Sequence, residues 1–257
     1  MILQSSRVWL TGASSGIGAA LVDALVAEGA RVAVTARRAD ALEELAARHR
    51  ARGADVLVLP ADVADRAAVH AAARGVETTW GGIDLALFNA GFGRRLQVTN
   101  FNAEDFAEIF RVNLFGVMYG IEAVLPAMLQ RRGGRVAAVA SLAGYRGAPT
   151  LAGYGSSKAA LIHALDSLRF DLEPHGIGVT VITPGYVRTP MTAQHTYWMP
   201  ALMDADKAAG VIVRGLRHDR KEIHFPARFS WTLKALRLLP FPIYERLVRA
   251  AVRRGAR

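Results

Sequence analysis

Short apolar runs alternate with longer stretches in which apolar residues recur every three or four positions. The first run is Val8-Trp9-Leu10, after Arg7. Ile17, Leu21, Leu25 and Val26 then follow at helical spacing until Gly29. This predicts a strand, a turn, a helix and a second strand over Arg31–Thr35. The alternation continues with a helix over 39–52, which has Leu42 and Leu45 on one face, and a strand over 54–59. An Ala-rich helix over 63–80, a strand over 83–88 and a long helix over 103–131 come next. A strand over 135–140, a helix over 153–175 interrupted near Pro174, and a strand over 177–183 complete the series. Strands this apolar are buried on both faces, which indicates a parallel sheet with helices on both sides. The fold expected is α/β, a doubly wound sheet of about seven strands in a single domain over 1–225.

Composition narrows the chemistry. The chain has 257 residues and no cysteine, so disulfides, thiolate catalysis and Cys-ligated zinc are excluded, and no metal site is expected. Met1–Ser6 carries no basic segment leading into an apolar one, and no uninterrupted apolar run reaches the roughly 18 residues of a membrane span. A cytoplasmic protein is the expectation. The formal net charge of +10 is unevenly placed: residues 207–257 hold 13 Lys and Arg against 3 Asp and Glu, while the rest balances. The basic character belongs to the C-terminal segment and needs its own explanation.

The turn after the first strand is Thr11-Gly12-Ala13-Ser14-Ser15-Gly16-Ile17-Gly18. Between a strand and a helix, glycines allow a tight bend and a close backbone approach. The helix N-terminus then offers N–H groups and positive dipole charge to a pyrophosphate. The spacing is G-x-x-x-G-x-G, not the common G-x-G-x-x-G. The second strand ends Thr35-Ala36-Arg37-Arg38, without the acid that usually accepts bonds from a ribose 2′-OH. A guanidinium fork suits a phosphate monoester instead. NADP(H) is therefore favoured, with NAD(H) the alternative if Arg37 and Arg38 are ordinary solvated residues. Asp62 can serve an adenine amino group, or simply a helix cap or turn.

Tyr154-Gly155-Ser156-Ser157-Lys158 opens the helix after the fifth strand, and Tyr and Lys four apart share one face. A phenol with a free pKa near 10 is a poor base at neutral pH, but a neighbouring ammonium and an oxidised nicotinamide both favour its phenolate. Ser141 stands at the C-terminal end of the fifth strand, the edge where parallel sheets hold their active sites. Its hydroxyl can hold a carbonyl or alcohol against Tyr154. Asn113 is a polar residue inside the apolar run Val112–Val117, to be read as functional or as a satisfied core amide.

These residues, with Asn89-Ala90-Gly91 and Pro184-Gly185, follow the order and spacings of the short-chain dehydrogenase/reductase family, which the chain resembles over roughly 7–220. The resemblance implies a Rossmann-type sheet. It implies that Tyr154 is the general acid/base, and that Lys158 lowers its pKa and binds the nicotinamide ribose. Ser141 would orient the substrate and Asn113 would hold a water in a proton relay, with hydride passing between nicotinamide C4 and a carbonyl carbon. The cofactor would lie on Gly12, Ser14, Ser15, Gly16, Ile17 and Gly18 of the turn. Beyond the turn it would meet Arg37 and Arg38, then Asp62 and Val63, then Asn89, Ala90 and Gly91. Pro184, Gly185, Val187 and Thr189 would close the nicotinamide end, beside Tyr154 and Lys158. Dimers or tetramers built on the helices at 103–131 and 153–175 are the family habit. Two positions depart from the pattern. Phe88 replaces the first amide of the usual Asn-Asn-Ala-Gly, leaving one local hydrogen bond at stake. Position 15, basic in some NADP-using members, is Ser15.

A lid over about 186–215 is expected to cover the substrate, for which Ser141, Tyr145, Tyr186, His195 and Trp198 are the candidate contacts. His195 reads equally as a lid surface residue. The lid is aromatic and Met-rich, which suits an apolar, adaptable pocket and a hydrophobic ketone or secondary alcohol. Residues 226–257 mix large apolar residues with arginines and are split by Pro240 and Pro242. They read as a basic amphipathic extension, either an interfacial element on a membrane or helices packed on this subunit or a second copy. Nucleic acid is not expected, because the arginines are interleaved with aliphatics and no reader motif appears. A non-enzymatic dinucleotide-responsive regulator would not need the proton donor that Tyr154 supplies. An epimerase or dehydratase on a related fold would need a larger C-terminal domain.

Overall fold

β1 (Arg7–Thr11) is buried from Val8 onward, as an interior strand must be. It leads into α1 (Gly16–Ala27), which buries Leu21, Val22 and Leu25. β2 (Arg31–Thr35), α2 (Ala39–Arg50), β3 (Val56–Val58), α3 (Arg66–Trp80) and β4 (Leu85–Phe88) repeat the alternation. α4 (Ala103–Phe110), α5 (Gly116–Gln130), β5 (Gly134–Val139), α6 (Ala152–Leu172) and β6 (Ile177–Pro184) follow. Two-residue strands β7 (Val187–Arg188) and β8 (Met203–Asp204) pair with each other around the short α7 (Pro190–Ala193). α8 (Ala205–Arg217), β9 (Glu222–Phe225), α9 (Ala227–Arg237) and α10 (Phe241–Gly255) complete the chain. The computed structural model describes residues 1–96, 98–193 and 199–255, with backbone alone over 251–255.

Seven parallel strands form one sheet in the order β3-β2-β1-β4-β5-β6-β9. One apolar cluster, with residues of α1, α2 and α8, fills one face, and a second, with residues of α3, α5 and α6, fills the other. The expected doubly wound, Rossmann-type α/β fold is what forms. Chain order reverses between β1 and β4, and a crevice opens at such a switch point. The register aligns the strand ends there. Thr11 sits beside both Thr35 and Phe88, and Pro184 beside Phe225. The turns that follow these strands therefore share one edge of the sheet.

The departures have local causes. β3 is shorter than the expected 54–59 because it is the sheet edge and pairs with β2 alone. α3 begins at Arg66 and not at 63, since the Asp65 carboxylate accepts from the N–H groups of Ala67 (2.9 Å) and Ala68 (3.2 Å). The expected helix over 103–131 is interrupted by a π turn at Arg111–Phe115, which buries Asn113. The stretch Ala103–Gln130 is long and apolar enough to cross a membrane by length and composition. Within the fold, α5 buries Val117, Ile121, Val124 and Met128 in the core.

The segment expected as a lid, 186–215, holds a core helix. α8 buries Ala208, Ala209, Ile212, Val213 and Leu216 in the cluster that α1 also fills. Its Ala and Val spacing is amphipathic, and the face it presents to the domain is apolar. β9, absent from the six strands read by pattern, is a short edge strand with Glu222 and His224 among its four residues. The C-terminal extension also packs inward: Phe229 and Leu233 of α9 lie against the second core cluster.

Candidate active site

The turn after β1 brings backbone groups very close together. Gly16 has φ +57°, and a Cβ there would lie 2.9 Å from Thr189 Cγ2. A Cβ on Gly18 would lie 2.0 Å from the Gly12 carbonyl oxygen, so α1 rests directly on the strand end. The Gly12 N–H donates to Thr35 O at 2.7 Å, and Ile17 is half-buried against the core. Ser15 stands at the helix start, where no side chain caps the helix and no acid occupies its first turn. That end suits an anion, through its amides and its dipole.

Two neighbouring strand ends complete this half. Arg37 and Arg38 are exposed at the end of β2. Arg38 reaches back to the turn, donating to Ser14 O (3.1 Å) and Ser14 Oγ (3.2 Å). Asp62 holds its own turn by accepting from Ala64 N–H at 2.9 Å, and Val63 is buried. At the end of β4, Asn89 Nδ2 donates to Gly12 O at 3.0 Å. Thr11 Oγ1 accepts from the N–H groups of Asn89 (3.2 Å) and Ala90 (3.3 Å). The loss of an amide at Phe88 is thus covered. Its ring packs edge-on against Trp9 at 5.7 Å, and Trp9 Nε1 donates to Thr35 Oγ1 at 2.9 Å. A glycine cradle, an uncapped helix end and a guanidinium on the same turn fit a dinucleotide.

The other half rises from β5 and α6. Ser141 stands two residues beyond β5, and its Oγ accepts from Ala143 N–H at 3.1 Å. Tyr154 lies in the first turn of α6, with Lys158 one turn further and almost fully buried. Lys158 Nζ donates to Val139 O at 2.7 Å and lies 5.9 Å from the centre of the Tyr154 ring. Burial pulls its pKa down to about 8 from 10.5. Gly91 lies beside Lys158 Nζ and the Asn113 side chain. Asn113 itself is a satisfied buried amide. Its Oδ1 accepts from Phe92 N–H (2.9 Å), and its Nδ2 donates to Phe92 O (2.9 Å) and Ser157 Oγ (3.0 Å). Ser157 Oγ donates in turn to Tyr154 O at 2.8 Å, so the π turn is tied to the start of α6. A π turn also takes a carbonyl out of the regular helical ladder.

Ser141 and Tyr154 line one cavity of about 250 Å³. Pro184, Gly185 and Tyr186 close one side of it, and Met191 and Thr192 of α7 another. Val187 is buried beneath, and Thr189 N–H donates to Thr192 Oγ1 at 2.9 Å. Tyr145 lines the cavity too, with its hydroxyl already engaged. It donates to Glu222 (2.9 Å) and shares a hydrogen bond with Thr183 Oγ1 (2.9 Å). Burial pushes the Tyr145 phenol well above its usual pKa, so it suits a wall and not a proton exchanger. His195 and Trp198 fall outside the described residues.

Sequence reasoning missed most of the apolar wall. Leu142 and Leu151 come from around the Ser141 loop, and Phe229, Leu233, Leu236 and Tyr244 come from α9 and α10. The signal was in the sequence, as the apolar spacing of 229–247, but without a site to attach to. Phe229 stacks on Tyr186 at 6.1 Å. Lys234 binds Glu222 at 2.7 Å. Burial alone would raise the Glu222 carboxyl. The Lys234 ammonium and the Tyr145 hydroxyl outweigh it and hold the pKa low. Arg146 donates to the carbonyls of Leu236 (2.8 Å), Arg237 (3.1 Å) and Leu239 (2.7 Å), closing the C-terminal end of α9. Phe229, Leu233, Leu236 and Tyr244 of the extension thus pack on this subunit as a wall of the cavity, while Leu238, Phe241, Ile243 and Leu247 remain exposed.

The chain matches the family model described as short chain dehydrogenase over residues 6–200. An uncharacterised oxidoreductase of Myxococcus xanthus is 34% identical over 240 residues, which cover 93% of this chain and 95% of that protein. A solved short chain dehydrogenase from Burkholderia cenocepacia, in complex with NADP, has a TM-score of 0.78 at 28% identity, covering 88% of this chain and 98% of that one. One from Burkholderia phymatum, in complex with NAD, shares the fold with a TM-score of 0.83 at 24% identity, over 91% and 94%.

Proposed function

The chain belongs to the short-chain dehydrogenase family, an NAD(P)-dependent oxidoreductase by that membership, and we propose that it interconverts a hydrophobic ketone and its secondary alcohol using NADP(H). One observation carries the reading. Ser141 and Tyr154 face the same largely apolar cavity, and a buried Lys158 stands beside the Tyr154 ring. Bound in the crevice, the dinucleotide supplies the two-electron chemistry at the carbonyl carbon.

The chain's own groups do the rest. The turn from Gly12 to Gly18 and the N-terminus of α1 hold the pyrophosphate. Arg38, set against Ser14, and Arg37 beside it hold the 2′-phosphate that distinguishes NADP from NAD. Ser141 donates a hydrogen bond to the substrate oxygen and fixes it against Tyr154. Tyr154 gives that oxygen its proton in reduction and takes it back in oxidation. The Lys158 ammonium favours the phenolate and so brings the Tyr154 pKa toward neutrality. Tyr145 and Tyr244 are the other cavity phenols of the Ser141 loop and C-terminal wall. Burial raises the pKa of both, so neither competes for this role. Asn113 is a positioning residue that braces Phe92 and Ser157 around the Tyr154 turn. The lining of Leu142, Leu151, Met191, Phe229 and Leu233 selects an apolar body. Phe115 and Phe170 leave apolar surface exposed on the helical face where pairing with a second copy is expected.

The test is NADPH consumption against a panel of hydrophobic ketones, repeated with NADH. Reduction of aromatic, alicyclic or long-chain ketones with NADPH preferred is the expected result. Activity confined to small polar sugars, or equal use of NADH, overturns the corresponding part of the reading.

A further inference from the structure

We propose that the substrate is an elongated apolar carbonyl compound and that Tyr244 sets the chain length the site accepts, an inference that rests on the reaction proposed above. Two cavities meet at this residue. The inner one, about 250 Å³, is lined by Ser141, Tyr154, Leu142, Leu233 and Tyr244 among others. The outer one is a more open groove of about 470 Å³, which starts at Tyr244 and passes Gly147, Pro149, Phe241 and Val248. Tyr244 is the residue that lines both. Tyr244 shares this cavity with Ser141 and Tyr154, so a carbonyl held by those two residues leaves its tail in the chamber that the Tyr244 ring helps to close.

The ring is fixed in place. Its hydroxyl donates to Gly147 O at 2.7 Å, and the Arg146 guanidinium lies 4.0 Å from its centre. Arg146 is itself immobilised by three carbonyls at the end of α9. Two consecutive residues of the loop after Ser141 therefore hold the phenol as a partition between an apolar chamber and an apolar groove. Beyond the partition Phe241 and Val248 offer further apolar wall, and the ion pair of Arg249 with Glu245 (2.7 Å) marks the rim.

This arrangement leaves a signature in a homologous series. Each methylene buried in the inner chamber raises kcat/KM up to about fourfold, and the rise stops where the chain meets the ring. Without the ring the chamber and the groove become one channel, and the rise continues. The experiment measures kcat/KM for NADPH-dependent reduction of straight-chain 2-alkanones from six to sixteen carbons, for the wild type, Tyr244→Ala, Tyr244→Leu and Tyr244→Phe. Each profile is normalised to its own maximum. The break in the wild-type profile is expected to recur at the same length in Tyr244→Phe, which keeps the ring, and to move outward by at least two carbons in Tyr244→Ala. Tyr244→Leu supplies the same reading if the alanine variant fails to fold by circular dichroism. An unmoved break in a folded ring-less variant overturns the assignment to Tyr244 and leaves the proposed reaction standing. A wild type that binds NADPH and reduces no ketone of any length overturns the reaction, and the length gate with it.

Discussion

The glycine turn after β1 and the helical pair α9–α10 belong to the two halves of the candidate site and are built in opposite ways. The turn works through backbone. Its amides and the absence of side chains make the site, and Gly18 has no room for even a Cβ. The pair works through side chains. Phe229, Leu233, Leu236 and Tyr244 make the wall, while the backbone they hang from is held by a few polar ties, Lys234–Glu222 and Arg146 to the end of α9. A backbone site tolerates little change and suits what all dinucleotides share, the pyrophosphate. A side-chain wall can be rebuilt residue by residue and recognises what differs between substrates. The proposed catalytic pair, Tyr154 and Lys158, offers the sharpest way to test the division.

Tyr154→Phe carries the largest expected effect. Removing the proton donor should lower kcat by about 10²- to 10⁴-fold, while the dissociation constant for NADPH, measured by fluorescence titration, stays within about twofold. Retained turnover would move the chemistry away from this residue. Equal loss of cofactor binding would mean that the two regions are not separable at Tyr154.

Lys158 gives a pH signature of similar size. Its folded pKa of about 8 lies below the ordinary 10.5. Between these values the unfolded chain binds a proton that the folded chain does not, so stability rises with pH across that window. Below pH 8 both states are protonated, and the folded state bears the whole cost of burying the ammonium. In the cofactor-free protein, the unfolding free energy of the wild type relative to Lys158→Met should therefore increase by about 3 kcal/mol from pH 7 to pH 10.5. Urea denaturation at several pH values measures it. A flat difference would show that Lys158 titrates normally and keeps its ammonium beside Tyr154 across the whole range, so that burial does not tune it.

The same contrast separates what was legible in the sequence from what was not. The sheet, its helices and the turn follow from apolar periodicity and glycine, because each is specified by residues close in the chain. Tyr154 and Lys158 share a face by their spacing of four. Asn113 was visible as a polar residue in an apolar run, but the π turn that buries it was not, since helix spacing alone cannot report one extra residue in a turn. The C-terminal wall was illegible for a different reason. Its apolar face is complementary to Leu142 and Tyr186, far away in sequence, and the many arginines around it kept an interfacial reading open beside packing. Arg146, whose guanidinium closes α9 and covers Tyr244, had no local pattern at all. Only the fold brings residue 146 to residue 239.

A matched pair of small substitutions compares the regions directly. Gly18→Ala places a methyl group 2.0 Å from a backbone oxygen, whereas Gly147→Ala places one in open space beside the Tyr244 tie. The first should cost about 1–3 kcal/mol of stability, as overpacking does, and weaken dinucleotide binding. The second should stay within about 0.5 kcal/mol. Thermal unfolding with and without NADPH reads both. Equal costs would mean that the substrate wall is as tightly determined as the turn.

Arg38→Ala is the mildest change, and it tests a place where a side chain takes part in the backbone-built half. Arg38 is exposed and reaches Ser14 through a single guanidinium nitrogen, so screening limits what it can add. Its pairing with a phosphate dianion is nevertheless charge-assisted, and an exposed interaction of that kind contributes roughly 1.4 kcal/mol, or a factor of ten. NADPH affinity should fall about tenfold while NADH affinity stays unchanged, as measured by calorimetry. The loss should shrink in high salt, because the Debye length falls to about 3 Å at 1 M. Equal losses for both cofactors would assign Arg38 to holding the shape of the Ser14 turn. The proposed preference for NADP would then rest on Arg37 alone, and the backbone half would be as indifferent to the cofactor's phosphate as its amides are.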